Sequence, residues 1–554
     1  ILNVNGLTEA VNKGSVKFLR IIATDPITSK AIKTFSFETD GVIQISFDDV
    51  LQDYYVDYFL YGSDTKDIDI TIEQLPLYPG FILGDGVDDF AVTEKELNFE
   101  DTYTVYTAFI PFQNDPTRNM ILCGADSKKT FSMQYPHLVY VSFIAGNNYY
   151  INADLVNGLN LFACKRNGNN ICIKNLLTNK VVTGTCGDWV ENAGPYYLWR
   201  NATYASFAKA AIAGQTICNG YFSTDEDDEK VLDWYKKQYP WLFPDQAWTV
   251  VGKTNEDEDR ATIANITGNG NDLVLSNFGF AEGSGYGLYA YNFNSFNLRD
   301  NVVKPTDVKK DSFRMIGTGN SNNVLILLNE SDSADWKIRI TAMKDGDHLL
   351  AGNANKSGDY IKITKDGVYT FQKQYAANAT NGIWYNSSQE VDVLVEQIPE
   401  YEGYLVTDGV DDIASSNTVV YEADFTFIGE WKFIQKDDTV AGINSSSHLY
   451  IQNRYNRGAT VMINSTFENK KNITDYMTFK AITSKGKGYD ENWNEVDLLY
   501  GDGNKGTSGV NIGGQGGTEF CHMIFKNMAL YMNKVFTKDE CIKAYNYLQT
   551  LKAK

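Results

Sequence analysis

Apolar and polar residues alternate along this chain in short runs, and two of those runs organise the rest. Ile68, Ile70 and Ile72 alternate with polar neighbours, as do Val391, Val393 and Val395, which is the period of a strand with one buried face. Each run is stopped by a proline, Pro76 or Pro399, and a second apolar run follows at 81–83 or 404–406. The stretches 68–90 and 391–413 agree without a gap at Asp-Gly-Val-Asp-Asp and at scattered Asp, Glu-Gln, Pro, Tyr and Gly, each residue 323 positions from its counterpart. The chain is therefore a tandem array whose folding unit is the repeat. Each copy reads as the last strand of one β-module, a hinge, and the first strand of another.

In chain order, residues 1–15 read as the remnant of an upstream repeat, because Asn3-Val4-Asn5-Gly6 echoes Asn265-Ile266-Thr267-Gly268. Residues 16–84 form a small β-sandwich: Val42, Ile43, Ile45 and Phe47 follow the turn Thr39-Asp40-Gly41, which Lys365-Asp366-Gly367-Val368 repeats, and both turns predict Asp-Gly hairpins. Residues 85–240 form a jelly roll of short strands closed by one helix. Phe222 matches Phe536, and Ser223 or Thr537 supplies an N-cap ahead of acidic first-turn residues. The closing helices are expected to pack through Val231, Trp234 and Tyr235, and through Ile542, Tyr545 and Leu548, each on its own jelly roll as an independent unit. Residues 241–310, with Pro, an acidic run, Gly-Asn-Gly-Asn and Gly-Ser-Gly, read as a connector with short strands. A second small β-sandwich at 311–407 and a second jelly roll at 408–554 complete an all-β chain of tandem β-sandwich repeats.

Composition adds exclusions. At 554 residues several domains are expected, and 35 Tyr, 30 Phe and 45 Gly favour sheet and turn over long helices. The net charge of −21 has no basic stripe to offset it, so nucleic acid is excluded as a partner. No apolar run approaches the ~18 residues of a membrane span, so no membrane insertion is expected. Seven cysteines, odd in number and unevenly spread, read as free thiols, with a hairpin bridge from Cys164 to Cys172 left open. The chain begins at Ile1 without a Met, which leaves a leader or upstream domain open.

Two resemblances sharpen the reading. The pattern from Asp-Gly-Val-Asp-Asp to the closing helix, including Val-Asn-Ile-Gly-Gly-Gln-Gly-Gly-Thr-Glu-Phe at 510–520, resembles the laminin-G-like, concanavalin A-like lectin/glucanase modules over 85–239 and 408–554. The first copy departs from it with Leu198-Trp199-Arg200-Asn201 where the second has Asn-Ile-Gly-Gly. The stretch 241–289 is similar to segments in structural proteins of tailed phages of gut Bacteroidetes, the crAss-like group among them. Together these resemblances imply a virion appendage, a head or tail fibre, whose partners are other virion proteins and a host surface polysaccharide, assembled as a homo-oligomer such as a trimer. The alternatives are a bacterial cell-surface glycan-binding protein and a glycoside hydrolase of the concanavalin A-like fold.

Candidate chemistry is sparse. Glu390, Asp392 and Glu396 line one face of a strand, as the carboxylates of a retaining glycosidase would, but Leu394 interrupts them and the strand precedes the jelly roll. The expectation is a protein that is not an enzyme. Asp85, Asp88 and Asp89, and their counterparts Asp408, Asp411 and Asp412, could offer oxygens to Ca²⁺, although a turn with glycine at positive φ explains them more simply. No other cofactor is implied. His137, His348, His448 and His522 stand singly. Sugars are held by an aromatic face and planar polar groups, and the aromatics in loop-like surroundings are Tyr197, Trp199 and Tyr204 in the first jelly roll and Tyr455 and Trp493 in the second. Weak single sites multiplied by display in many copies are the expected mode of binding.

Overall fold

The computed structural model describes residues 2–24, 31–38, 40–43, 55–62, 69–74, 76, 78–86, 88–112, 120–125, 132–135, 138–144, 147–153, 155, 158–188, 192–199, 208–280, 283–289, 303–317, 336–343, 348–353, 360–371, 381–386, 391–434, 440–444, 448–454, 458–464, 478–501, 503, 505–515 and 519–553. They form an all-β fold in antiparallel sheets. Three α-helices occur among the described residues: α1 (Leu7–Asn12), α2 (Asp225–Gln238) and α3 (Lys538–Gln549).

The first sandwich faces two six-stranded sheets across one core. One sheet runs in the order Val181–Thr185, Asn170–Asn175, Asn160–Asn167, Thr102–Pro111, Lys209–Asn219, Ile82–Asp85. The other runs Asn147–Ala153, Leu138–Ile144, Ser132–Tyr135, Met120–Ala125, Tyr196–Leu198, Ala91–Val92. Tyr103, Val105, Phe109 and Phe162 of the first sheet meet Ile151 and Tyr196 of the second, because alternate residues of a strand share a face.

The second sandwich repeats this order, without a counterpart of Asn147–Ala153 among the described residues. Glu495–Asp497, Lys487–Asp490, Phe479–Thr483, Phe425–Phe433, Met523–Met532 and Glu400–Val406 form one sheet, opposite Gly458–Ile463, Leu449–Arg454, Val440–Asn444, Gly506–Ile512 and Ile413–Tyr421. Here both sheets continue into strands from the stretch read as a connector. Gln246–Thr249 pairs with Met523–Met532, Gly285–Leu288 with Glu400–Val406, and Leu273–Ser276 with Ile413–Tyr421. Residues 241–289 are thus part of the second sandwich and no free link. Trp248, Ile263 and Leu273 are fully buried in its core beside Phe425 and Phe427, and that burial fixes the segment in place.

The smaller modules each use two sheets. Leu2–Asn5 is the central strand between Gly41–Ile43 and Thr71–Gln74, and Leu2, Val4 and Leu7 share a core with Leu19 and Ile21. The first 15 residues are therefore built into the first small module and are not a detached remnant. The Asp-Gly turns also differ from expectation. Ala31–Phe37 and Gly41–Ile43 lie in different sheets, as do Tyr360–Ile363 and Gly367–Phe371, so each turn is a corner between sheets instead of a hairpin. The aspartates fix those corners: Asp40 Oδ1 accepts the Leu7 N–H at 2.5 Å, and Asp366 Oδ1 accepts the Met343 N–H at 2.7 Å. At Pro399 the chain passes from Val391–Ile398 in a small-module sheet to Glu400–Val406 in the sandwich, where a residue without an N–H cannot extend a ladder.

Helices α2 and α3 cover the outer faces of the two sandwiches. Both begin in capping boxes, Thr224 with Asp227 and Thr537 with Glu540. The first cap is thus Thr224; Ser223 instead donates to Asp228, which is buried against Lys165 at 2.7 Å and Tyr106 Oη at 2.9 Å. Tyr235 is buried, whereas Trp234 is 53% exposed and stands T-shaped to the Tyr235 ring, with centroids 4.9 Å apart. The outer faces meet each other, so Tyr106, Leu159 and Tyr235 share one apolar cluster with Tyr545, Tyr547 and Leu551. The Leu159 N–H donates to Tyr547 Oη at 3.1 Å. A Cβ on Gly158, at φ 95°, would come within 2.8 Å of Tyr547 and Leu551. The two sandwiches are joined through this cluster and are not the independent units expected.

Candidate functional site: a polar pocket on the second sandwich

Helix α3 leaves part of the outer sheet face open, and a cavity of about 480 Å³ lies there. Tyr404, Glu430, Lys480, Glu491, Asn492 and Lys526 line it. Its centre is set by a bulge in the strand Met523–Met532, where Lys526 is the extra residue between Phe525, opposite Trp431, and Asn527, opposite Glu430. Trp431 and Phe433 stay in the core, ordinary alternation along Phe425–Phe433 puts Glu430 on the outer face, and the bulge places Lys526 beside it.

Glu430 is held from three sides. Lys526 Nζ donates to Oε2 at 3.2 Å, Tyr545 Oη donates to Oε2 at 3.0 Å, and Tyr404 Oη donates to Oε1. Burial, reinforced by the Glu430 charge, pushes the Tyr404 and Tyr545 phenols above their ordinary range, so both stay protonated as donors. Lys480 Nζ lies 5.0 Å from the Tyr545 ring centre and 5.7 Å from that of Trp493. Burial pulls its ammonium down, against the charges of Glu430, Glu491 and Asp490. Asp490 Oδ1 accepts the N–H groups of Asn492 and Asn494, each at 2.8 Å, which fixes the loop that presents Glu491 and Asn492. The result is a fixed carboxylate beside two ammonium groups, an aromatic ring and an exposed amide, a set suited to a polar ligand rich in hydroxyls.

The aromatic residues expected to bind sugar lie elsewhere. Trp199 is 3% exposed in the first core, where its Nε1 donates to the Ala210 carbonyl at 3.2 Å. Trp493 is 1% exposed and forms the wall beneath Lys480. Neither ring has a free face to stack on a sugar, so both assignments are corrected. Each backbone is at positive φ, 61° and 62°, which turns a residue of loop-like sequence inward. Tyr197 is half-buried on Tyr196–Leu198, opposite Gly124 and Val92. Tyr204 and Tyr455 lie outside the described residues. Tyr404, Glu430, Lys480, Asn492 and Lys526 were missed. One signal for them was present: Phe81, the counterpart of Tyr404 by the repeat spacing, packs against Tyr239 at 5.8 Å, while Tyr78 and Phe112 pack at 4.8 Å. Rings fill the first copy there; the second copy carries polar groups.

The strand carboxylates are structural. Arg314 holds Asp392 through two donors at 2.9 and 3.1 Å, and Arg339 lies 4.0 Å from Glu396; Glu390 lies outside the described residues. Cys164 pairs with Ile173 and Cys172 with Lys165 on adjacent strands, so the two thiols point to opposite faces and do not bridge. One acidic group remains. Ligand oxygens of Asp408, Asp411 and Asp412 lie within 4.8 Å of one another and could hold a divalent cation. Gly409, at φ 77°, forms the turn between them. Asp412 is fully buried; its Oδ2 accepts the Asp408 N–H at 2.8 Å and its Oδ1 accepts no hydrogen bond. Burial pushes its carboxyl up to about 7, and the Asp408 charge adds to the shift. The Asp408 N–H and the nearby Ser284 hydroxyl oppose that shift, although Ser284 makes no bond to Oδ1.

The fold and pocket define an all-β protein of paired two-sheet sandwiches with a cavity lined by charged and polar groups on an outer sheet face of the second. No family model matches the chain, and no curated protein matches it. Similar solved structures include the binding domain of Paraclostridial Mosquitocidal Protein 1, at 11% identity, TM-score 0.25, over 56% of this chain and 92% of that one. They include the botulinum neurotoxin type G receptor binding domain, at 9% identity, TM-score 0.24, over 58% and 93%. Domains LG4-5 of the mouse laminin alpha1 chain are similar at 7% identity, TM-score 0.22, over 84% and 97%. At TM-scores this low, neither the fold nor the function of this chain rests on them; the fold rests on the strand pairing itself.

Proposed function

We propose that this chain is a non-enzymatic adhesion protein that binds a surface polysaccharide through the pocket of its second sandwich. The observation that carries the reading is the pocket itself, where Glu430 sits among Tyr404, Lys480 and the bulge residue Lys526 on an outer sheet face. Three lysines, Lys432, Lys480 and Lys526, against Glu430 and Glu491 favour an acidic sugar over a neutral one. Within the proposal, the protein belongs to a phage virion appendage, a head or tail fibre, beside other virion proteins and as a homo-oligomer; the similarity of 241–289 to phage structural proteins supports this setting. A bacterial cell-surface glycan-binding protein is the alternative setting. The absence of turnover is supported by the state of Glu430, whose oxygens are occupied by one ammonium and two phenols. A hydrolase reading draws on one observation, that Glu491 lines the same cavity.

The test is a glycan array probed with the chain, set beside an assay for reducing ends released from the same ligands. Binding of acidic polysaccharides without release is expected. Sustained release would establish the hydrolase, and no binding at ~10 mM, above the roughly millimolar range expected of one weak site, would remove the adhesion reading.

A further inference from the structure

The apolar joint between the two sandwiches is not filled. A cavity of about 360 Å³ lies in it, with Leu159, Leu177 and Leu232 of the first sandwich on one side and Leu242, Ile266 and Leu551 of the second on the other. An apolar cavity of ~150 Å³ holds a benzene ring, so this one has room for a ligand about twice that size. Its charged groups come from both sandwiches. Leu232 and Lys236 are one turn apart on α2 and share a face, which brings an apolar side chain and an ammonium to the cavity together. Lys534 follows the strand Met523–Met532; its Nζ donates to the Phe243 carbonyl at 3.0 Å and lies 5.5 Å from the Tyr531 ring centre. Burial pulls the Lys534 ammonium down, Asp245 opposes that shift, and the Lys236 charge adds to it, so the two lysines repel each other within the joint. One Asp245 oxygen is engaged elsewhere, since Oδ2 accepts the Met532 N–H at 2.7 Å.

We propose that this joint binds a single-chain amphipathic anion, a medium-chain carboxylate, with its head between Lys236 and Lys534 and its alkyl tail against Leu232, Leu242 and Ile266. The charge pattern selects the head. A carboxylate accepts charge-assisted hydrogen bonds from both ammonium groups and relieves their repulsion. The leucines and Ile266 select the tail, because covering them removes apolar surface from water. A small inorganic anion leaves that surface uncovered, and a neutral chain leaves the two ammonium groups opposed. The site is separate from the pocket around Glu430, since the two linings share no residue among those described. A ligand seated here touches both sandwiches, so its binding also holds them together.

Calorimetric titration of the intact chain with decanoate, decanol and butyrate, each below its micelle concentration, tests this. Decanoate is expected to bind at least about tenfold more tightly than either, because decanol lacks the charge and butyrate lacks the tail. Lys236→Met removes the charge of an exposed side chain and leaves the fold intact. It is expected to weaken decanoate at least about threefold and to leave decanol unchanged; with Lys534→Met added, the preference for decanoate disappears. Hydrogen exchange locates the ligand: with decanoate at ten times its dissociation constant, the Leu159 and Leu551 amides are expected to exchange about tenfold more slowly. No binding of decanoate, equal binding of decanoate and decanol, or butyrate as tight as decanoate would each overturn the proposal. So would an unaltered decanoate affinity in Lys236→Met, or protection confined to strands away from the joint.

Discussion

Replacing Trp248 by Ala tests whether the stretch 241–289 is part of the second sandwich or a link beside it. Trp248 is fully buried among the core residues of both sheets, its backbone pairs opposite Met528, and its Nε1 donates to the Asn271 carbonyl at 2.9 Å. Truncating a buried Trp costs ~3 to 5 kcal/mol in lost transfer and in the cavity left behind. The deserted Asn271 carbonyl adds roughly 1 kcal/mol where it stays dry. Trp248→Phe separates the two terms, since it keeps most of the apolar volume and loses the hydrogen bond; about 1 to 2 kcal/mol is expected. Because a chain of several modules need not unfold in two states, the assay is hydrogen exchange against urea, read separately on 425–433 and 102–111. The loss should fall on 425–433, with a smaller effect on 102–111 through the shared cluster of Tyr106, Leu159 and Tyr547. A surface change away from such features costs within ~0.5 kcal/mol. A Trp248→Ala loss in that range would refute the argument that burial of this segment holds it in the sandwich.

Trp234→Ala should cost within ~0.5 kcal/mol, and Tyr235→Ala about 3 kcal/mol, because only the second ring is buried; the urea midpoints of the two variants decide it. Asp412 supplies a pH dependence. With its carboxyl raised to about 7 in the fold, its contribution to stability is fully present below the unfolded value near 3.8 and is lost as pH rises through about 7. In EDTA, the urea midpoint read on 425–433 should therefore fall between pH 5 and pH 8, and Asp412→Asn should flatten the fall; a slope that the variant leaves unchanged would assign it to other groups.

Some of this structure could be read from the sequence, and the reasons differ by element. Alternation marked a strand at Val391–Val395, where Val393 and Val395 are buried, and at Thr71–Gln74, which is a strand although its residues are exposed; the proline after each run marked a change of sheet because it lacks a donor. The helix caps were legible in type, yet Ser223 and Thr224 are adjacent hydroxyl residues, and only the packing of Ser223 on Asp228 distinguishes them. The segment 246–288 was read as connector because its strands span two to four residues, too short for a period to show, and Gln246–Thr249, Leu273–Ser276 and Gly285–Leu288 find sandwich partners more than 100 residues away. Trp199 and Trp493 sit in loop-like sequence, but positive φ turns both rings inward, a tertiary choice that composition does not record. Lys526 lies beside Glu430 as the extra residue of a bulge, and the sequence Ile-Phe-Lys-Asn-Met carries no mark of that register shift.

The adhesion reading depends on the pocket around Glu430, and the most direct measurement is calorimetric titration of the intact chain with an acidic polysaccharide bound on the array, repeated with Asn492→Ala and Lys526→Met. Asn492 is exposed and Lys526 is partly so, so both changes leave the core intact, which circular dichroism would confirm. Each removes one group that lines the cavity. The account predicts a dissociation constant in the roughly millimolar range for the native chain, weakened at least about tenfold by the double variant, which corresponds to ~1.4 kcal/mol of binding energy. An unchanged dissociation constant in the double variant would place the glycan elsewhere on the molecule and contradict the account.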